Sequence, residues 1–322
     1  MAEVMKKLPV FLALVLLAFF SGCIEADAGQ DGFENENAAQ VTGLTNNAFN
    51  AVKVNSTQTA ETGQEEPSRA EILRGTVAPS KGIVLPVKWN DALVKTVEAG
   101  GIDINKYNAS LARYGQKLTP EHERLLLEGS DENIVFSPET AFFNLNMLWA
   151  LGLTNENQVL THGKISEYEN KSGFASTGGW TLGEKPGGEL LASAKIIQLT
   201  PEQQAIVEEV AANTYRPCCN NATAFPDCNH GMAALALAEL MASHGATKEQ
   251  IFDALLVANS YWFTQTYVNI AAYFEENGKS WNEINSKEVL GQAYSSYKGS
   301  IEVKKSLESI PIVDSAGATC AV

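Results

Sequence analysis

The chain has 322 residues, 45% hydrophobic and 19% charged, enough for one or two packed domains once non-globular parts are set aside. A formal charge of −15 and a pI near 4.8 exclude an ordinary nucleic-acid binder, which needs clustered Lys and Arg. Adjacent basic residues occur at Lys6-Lys7 and Lys304-Lys305, so the acidic surface reads as a solubility feature.

The N-terminal run "MKKLPVFLALVLLAFFSGC" (Met5 to Cys23) joins a basic start to a short apolar stretch, Leu8 to Phe20, and then Ser21-Gly22-Cys23. That is the layout of an export signal, and the apolar run is short for a spanning helix. Small residues directly before a cysteine resemble the lipobox of prokaryotic lipoproteins, in which Cys23 would carry lipid and become the first mature residue. An uncleaved N-terminal anchor is the alternative, with the same topology. Both place the bulk of the chain outside the cytoplasm, tethered to the membrane at residue 23 or just before it.

From Ile24 the sequence is rich in Asn, Gln, Thr, Ala and Gly, with few large apolar residues to offset the entropy of ordering. Residues 23–80 therefore read as a flexible acidic tether with a reach on the order of 40 Å. The remainder, 81–322, reads as a mainly α, compact multi-helix domain with one long irregular loop. Its two parts, 81–200 and 201–322, are expected to pack as one.

Helices are predicted near Trp89–Ala99, Asn105–Tyr114, Pro120–Leu127, Pro138–Leu151, Pro201–Asn213, Asn229–His244, Lys248–Phe263 and Thr266–Glu276. Thr119-Pro120-Glu121, Ser137-Pro138-Glu139 and Thr200-Pro201-Glu202 each offer a hydroxyl cap, a proline in the first turn and an acid behind it. Thr200 with Gln203, and Thr247 with Gln250, have capping-box spacing. Extended pieces are predicted at Gly82–Val87 and Lys195–Leu199.

Between Asn155 and Ser193 the Gly, Ser and Thr content predicts an ordered loop, unusually long for a compact domain. Trp180 within it is expected to plug the core. The aromatic stretch "NSYWFTQTYVNIAAYF" (Asn259–Phe274) likewise reads as core rather than groove. Asn55, Asn108, Asn170 and Asn221 open N-glycosylation sequons, several of which are expected by chance in an Asn-rich chain.

The chemistry-bearing stretch is "YRPCCNNATAFPDCNHGM" (Tyr215–Met232), which holds three of the five cysteines and one of the four histidines. Together with "FASTGGWTLG" upstream and Cys320 near the end, it resembles an uncharacterised group of prokaryotic lipoproteins bearing a CC...DCNHG element. It is more loosely similar to the lipoproteins named for a PCYCGC motif, from which it departs in having Cys218 and Cys219 adjacent. The resemblance implies an exported lipoprotein with a cysteine-centred site and no defined activity.

Two readings of the cysteines stay open. With Cys23 lipidated, Cys218, Cys219, Cys228 and Cys320 form an even set, which in an exported protein argues for two disulfides and a scaffold or adhesion module without chemistry. One bridge would join Cys218 or Cys219 to Cys228, and the other would tie down the tail through Cys320. Alternatively Cys218, Cys219, Cys228, His230 and Cys320 supply a soft-metal or thiol-redox site. Thiolates and imidazole suit zinc or copper(I), and Cys228 falls at a predicted helix start that favours the thiolate. The spacing is not that of a zinc ribbon, and adjacent cysteines need a turn to reach one ion. A catalytic Cys228–His230 pair is disfavoured because residues two apart on a helix face different ways. His122 is expected in solvent, His162 in a loop without a partner, and His244 at a helix C-terminus about 21 Å from His230. Membrane contact through the N-terminal lipid is the one partner predicted; a protein partner is not identifiable.

Overall fold

The computed structural model describes residues 66–307, and these are mainly helical. The expected signal, Cys23, residues 24–65 of the expected tether and Cys320 lie outside the described residues. The last part of the stretch expected as tether to residue 80 is instead ordered, as helix α1 (Arg69–Val77). Ser68 and Glu71 form a capping box at its start, and Leu73 and Val77 bury its inner face. Arg69 pairs with Glu275 and Glu276, at 3.3 and 3.2 Å, on the helix against which α1 lies.

Strand β1 (Ile83–Asn90) follows, and buries Leu85, Val87 and Trp89 on alternate positions. The helix expected from Trp89 therefore starts later, as α2 (Ala92–Glu98), since Trp89 belongs to the strand's buried face. Helices α3 (Ile104–Ala112) and α4 (Pro120–Glu128) match expectation, and Thr119 caps α4 through the His122 amide. Strand β2 (Ser130–Phe136), unexpected because its first residues are Ser-Asp-Glu-Asn, pairs antiparallel with β1 and buries Ile134 and Phe136. Ser137-Pro138-Glu139 forms a turn rather than a helix start, and α5 runs Ala141–Thr154. The Ser137 hydroxyl is spent on Glu139 and the turn amides.

Residues 155–193 fold as short turns of helix: α6 (Gln158–Thr161), two 3-10 turns, α7 (Ala175–Gly178) and α8 (Gly187–Leu190). Lys195–Leu199 is irregular rather than a strand, and Ala194 beside it makes one isolated bridge to Asn155. Trp180 is fully buried, edge-on to Trp149 at 5.0 Å, with its Nε1 donating to the Gly101 carbonyl at 2.8 Å. It plugs the core, as the sequence suggested.

Then come α9 (Pro201–Ala212), α10 (Asn229–Ser243), α11 (Lys248–Trp262) and α12 (Thr264–Glu276). Thr200 and Thr247 each close the capping box their spacing foretold. The C-terminal part adds α13 (Ser286–Val289), α14 (Gln292–Ser295) and α15 (Tyr297–Ser306). No helix among the described residues is long and apolar enough to cross a membrane.

Helices α5 and α10 form the centre. Both are buried nearly all round, as a helix enclosed by protein must be. They touch closely because Gly152 has no side chain: a Cβ there would stand 2.3 Å from the Met232 carbonyl oxygen. Tyr261, Trp262, Tyr267 and Phe274 are buried, so the aromatic stretch is core. This packing fixes the first turn of α10, where the cysteine loop lands.

Candidate metal and thiol centre

The loop from Thr214 to Asp227 joins α9 to α10. Thr214 and Thr223 pair backbone to backbone at 2.8 Å, and Ala224 returns to the Ala211 carbonyl at 3.0 Å, closing the loop on its own helix. A turn at Pro217-Cys218, bonded from the Cys219 amide to the Arg216 carbonyl at 3.3 Å, separates the two adjacent cysteines. The start of α15 pins the outer side: the Tyr297 amide donates to the Cys219 carbonyl and the Lys298 amide to Asn220 Oδ1, each at 2.9 Å.

Cys228 is the N-cap of α10, with extended backbone (φ −121°, ψ 165°), and its sulfur accepts the Gly231 amide at 3.4 Å. A cap residue folds its side chain over the helix start. Cys228 is therefore not turned away from His230, as two residues inside one helix would be. Ligand atoms of Cys218, Cys228 and His230 lie within 4.8 Å of one another, a buried Cys/Cys/His cluster that can hold a metal ion. A second set, Cys219, Asp227 and Cys228, meets the same limit and shares the Cys228 sulfur.

Arg216, which the sequence alone did not single out, organises both sets. Its guanidinium is buried and reaches four acceptors: Nε to Cys228 Sγ at 3.1 Å, Nη1 to the Asn221 carbonyl at 2.8 Å, and Nη2 to the Phe225 carbonyl at 3.2 Å and Asp227 Oδ1 at 2.5 Å. Asn221 holds the other Asp227 oxygen at 2.8 Å. The available signal was the lone arginine and lone acid in a cysteine-rich stretch, a pair that burial makes interdependent. Gly231 makes room, since a Cβ there would meet the guanidinium carbon at 2.5 Å.

Burial opposes a charge on Cys228. Hydrogen bonds from Cys218 and Cys219 and the Arg216 charge overcome it and hold the Cys228 thiol well below its ordinary range. For Cys219 a hydrogen bond from Cys218 pulls downward, but its bond to the Cys228 sulfur and its burial push the thiol well above the ordinary range. Burial opposes the charge on Arg216, but Cys228, the neighbouring cysteine sulfurs and Asp227 outweigh it and keep the guanidinium charged. One sulfur of the cluster thus carries the negative charge first.

Cys218 Sγ lies 3.2 Å from Cys228 Sγ, beyond the roughly 2.05 Å of a covalent bond. His230 is fully buried against Phe263 and Trp262, with ring centroids at 4.4 and 5.7 Å. Neither of its ring nitrogens has a hydrogen-bond partner. In a tetrahedral zinc site the sulfurs would stand about 3.8 Å apart and sulfur and nitrogen about 3.5 Å apart. The donors here are already gathered at that scale.

The remaining histidines stand elsewhere. His122, expected in solvent, stacks on Phe143 at 3.9 Å because Leu126 draws that face of α4 inward, and burial lowers its pKa. His162 is exposed and meets Thr161 Oγ1 at 2.8 Å. His244 caps α10, its Nδ1 donating to the Leu240 carbonyl at 2.8 Å while Nε2 accepts from Asn90 at 2.9 Å. Set against known proteins, the chain matches no family model, no curated protein and no solved structure.

Proposed function

We propose that this protein is a lipoprotein, anchored through Cys23 and facing outside the cytoplasm, whose Cys218–Cys228–His230 centre binds a soft metal ion, zinc or copper(I). The anchor reading rests on the export-signal layout and on Ser21-Gly22-Cys23, and the likeness of the Tyr215–Met232 stretch to prokaryotic lipoproteins with a CC...DCNHG element supports it. The metal reading is carried by one observation: a fully buried imidazole with both nitrogens unsatisfied, beside two cysteine sulfurs. A buried polar atom without a partner costs roughly 1–3 kcal/mol, and a metal ion at this position would relieve that cost for one nitrogen. Soft thiolates with imidazole select zinc or copper(I) over calcium or magnesium. Cys219 or Cys320 would complete a four-coordinate shell.

The test is elemental analysis and native mass of the protein purified without oxygen, with alkylation to count thiols. One metal ion per chain, lost on His230→Ala, is expected. Two disulfides with no bound metal would replace this reading with the scaffold.

A further inference from the structure

We infer that Cys218 and Cys228 are also a redox couple: they close to a disulfide by exchange with an external disulfide, and in closing expel the metal. The redox step stands on the sulfur geometry alone, whereas its coupling to metal rests on the reading above.

The two sulfurs need approach by only about 1.1 Å, from 3.2 Å to bonding distance. Their surroundings are unequal. Cys228 is buried, and its sulfur takes N–H donors from Arg216 Nε at 3.1 Å and the Gly231 amide at 3.4 Å. It is an electron-rich sulfur that a bulky reagent cannot reach. Cys218, in the turn at Pro217-Cys218, is half-buried and so more accessible than Cys228. An external disulfide therefore meets Cys218 first and Cys228 resolves the product.

The chemistry balances as two exchanges. The Cys218 sulfur, losing its proton, attacks a disulfide RSSR, forms a mixed disulfide and releases RS⁻. The Cys228 thiolate then attacks the Cys218 sulfur and expels the second RS⁻. Two cysteines lose two electrons and the external disulfide gains them. Cys219 Sγ also lies within 4.8 Å of Cys228 Sγ, but it engages the Asn221 carbonyl at 3.8 Å and Asp227 Oδ1 at 3.6 Å, whereas Cys218 Sγ stands at 3.2 Å, which makes Cys218 the partner in the couple. A disulfide sulfur no longer offers the thiolate that soft metals require, so the oxidised couple and the bound ion exclude each other.

The experiment equilibrates the full chain, in detergent and without oxygen, across a series of oxidised and reduced glutathione ratios. Thiols are then alkylated and the bridge is mapped by peptide mass. The expected result is one Cys218–Cys228 bridge per chain formed in a single transition, with Cys219 still alkylated. Cys228→Ser is expected to trap glutathione on Cys218, a species the natural chain does not accumulate. Cys218 and Cys228 alkylated throughout, or a bridge using Cys219 in their place, would overturn the couple, and neither result depends on a variant folding. The chain preloaded with zinc is expected to release one ion per bridge formed, read with a colorimetric chelator. Bridge formation with the ion retained would overturn the coupling. A reduced chain that binds neither zinc nor copper(I) would remove the metal reading and leave the couple standing.

Discussion

Arg216 Nε and Cys228 Sγ meet at 3.1 Å inside the first turn of α10, a buried cation against a buried sulfur. A guanidinium at the positive end of a helix dipole is misplaced unless anions accompany it. Cys228 and Asp227 are those anions, and each would be costly to bury without the arginine.

Removing the arginine should therefore be severe. Arg216→Met removes the buried counter-charge of Asp227 and Cys228 together with four hydrogen bonds, and a loss of about 3–5 kcal/mol of stability is expected. Arg216→Lys restores charge but not the fork of donors, and should recover less than half of it. Urea unfolding of both variants checks this, and a loss below about 1 kcal/mol for the methionine variant would contradict the assigned role.

Gly231 inverts the usual helix rule. Alanine in a helix is ordinarily better than glycine by about 1 kcal/mol. Here a Cβ would stand 2.5 Å from the guanidinium carbon, so Gly231→Ala should destabilise by about 2 kcal/mol or more. The double variant Gly231→Ala with Arg216→Met should lose less than the sum of the single changes, since the clash disappears with its partner.

His230→Phe separates ligand from filler. Phenylalanine keeps an aromatic ring against Trp262 and Phe263 and removes two unsatisfied nitrogens. Metal-free stability should hold or rise, while zinc and copper(I) affinity should fall by more than about 100-fold. Calorimetric titration and thermal unfolding of the metal-free chain give the two numbers.

Glu239 should make stability depend on pH. It is fully buried on α10, bonded to Asn155 Nδ2 at 2.7 Å, with its other oxygen unpartnered. Burial pushes its pKa up to about 8 from an ordinary 4.5. Over that interval the folded chain holds a proton that the unfolded chain releases. This contribution is full below about pH 4.5, falls by about 1.4 kcal/mol per pH unit as pH rises, and levels off above about 8. Glu239→Gln should flatten this dependence and exceed the natural chain in stability at pH 8, as urea unfolding at several pH values would show. Parallel curves for the two proteins would contradict the buried neutral carboxyl.

Much of the framework was legible in the chain. Thr119, Thr200 and Thr247 announced three helices, because capping is a local contest for a few orphan amides that the cap residue and its neighbours decide. Trp180 and the Asn259–Phe274 aromatics were legible as core, because large rings have few alternatives to burial. Strand β2 was not, since its polar first half gains its ladder only from β1, forty or more residues earlier.

The cysteine centre divides in the same way. The sequence by itself determined which donors exist, where they cluster, and that α10 begins at Asn229 behind Cys228. Only the tertiary structure decided that Cys218 turns toward His230 while Cys219 turns toward Asp227, and that the Arg216 guanidinium joins Cys228 to Asp227. Donor chemistry belongs to each residue alone. The direction in which a side chain points, and the charge its surroundings let it hold, come from helices packed around it that the loop's own sequence does not contain.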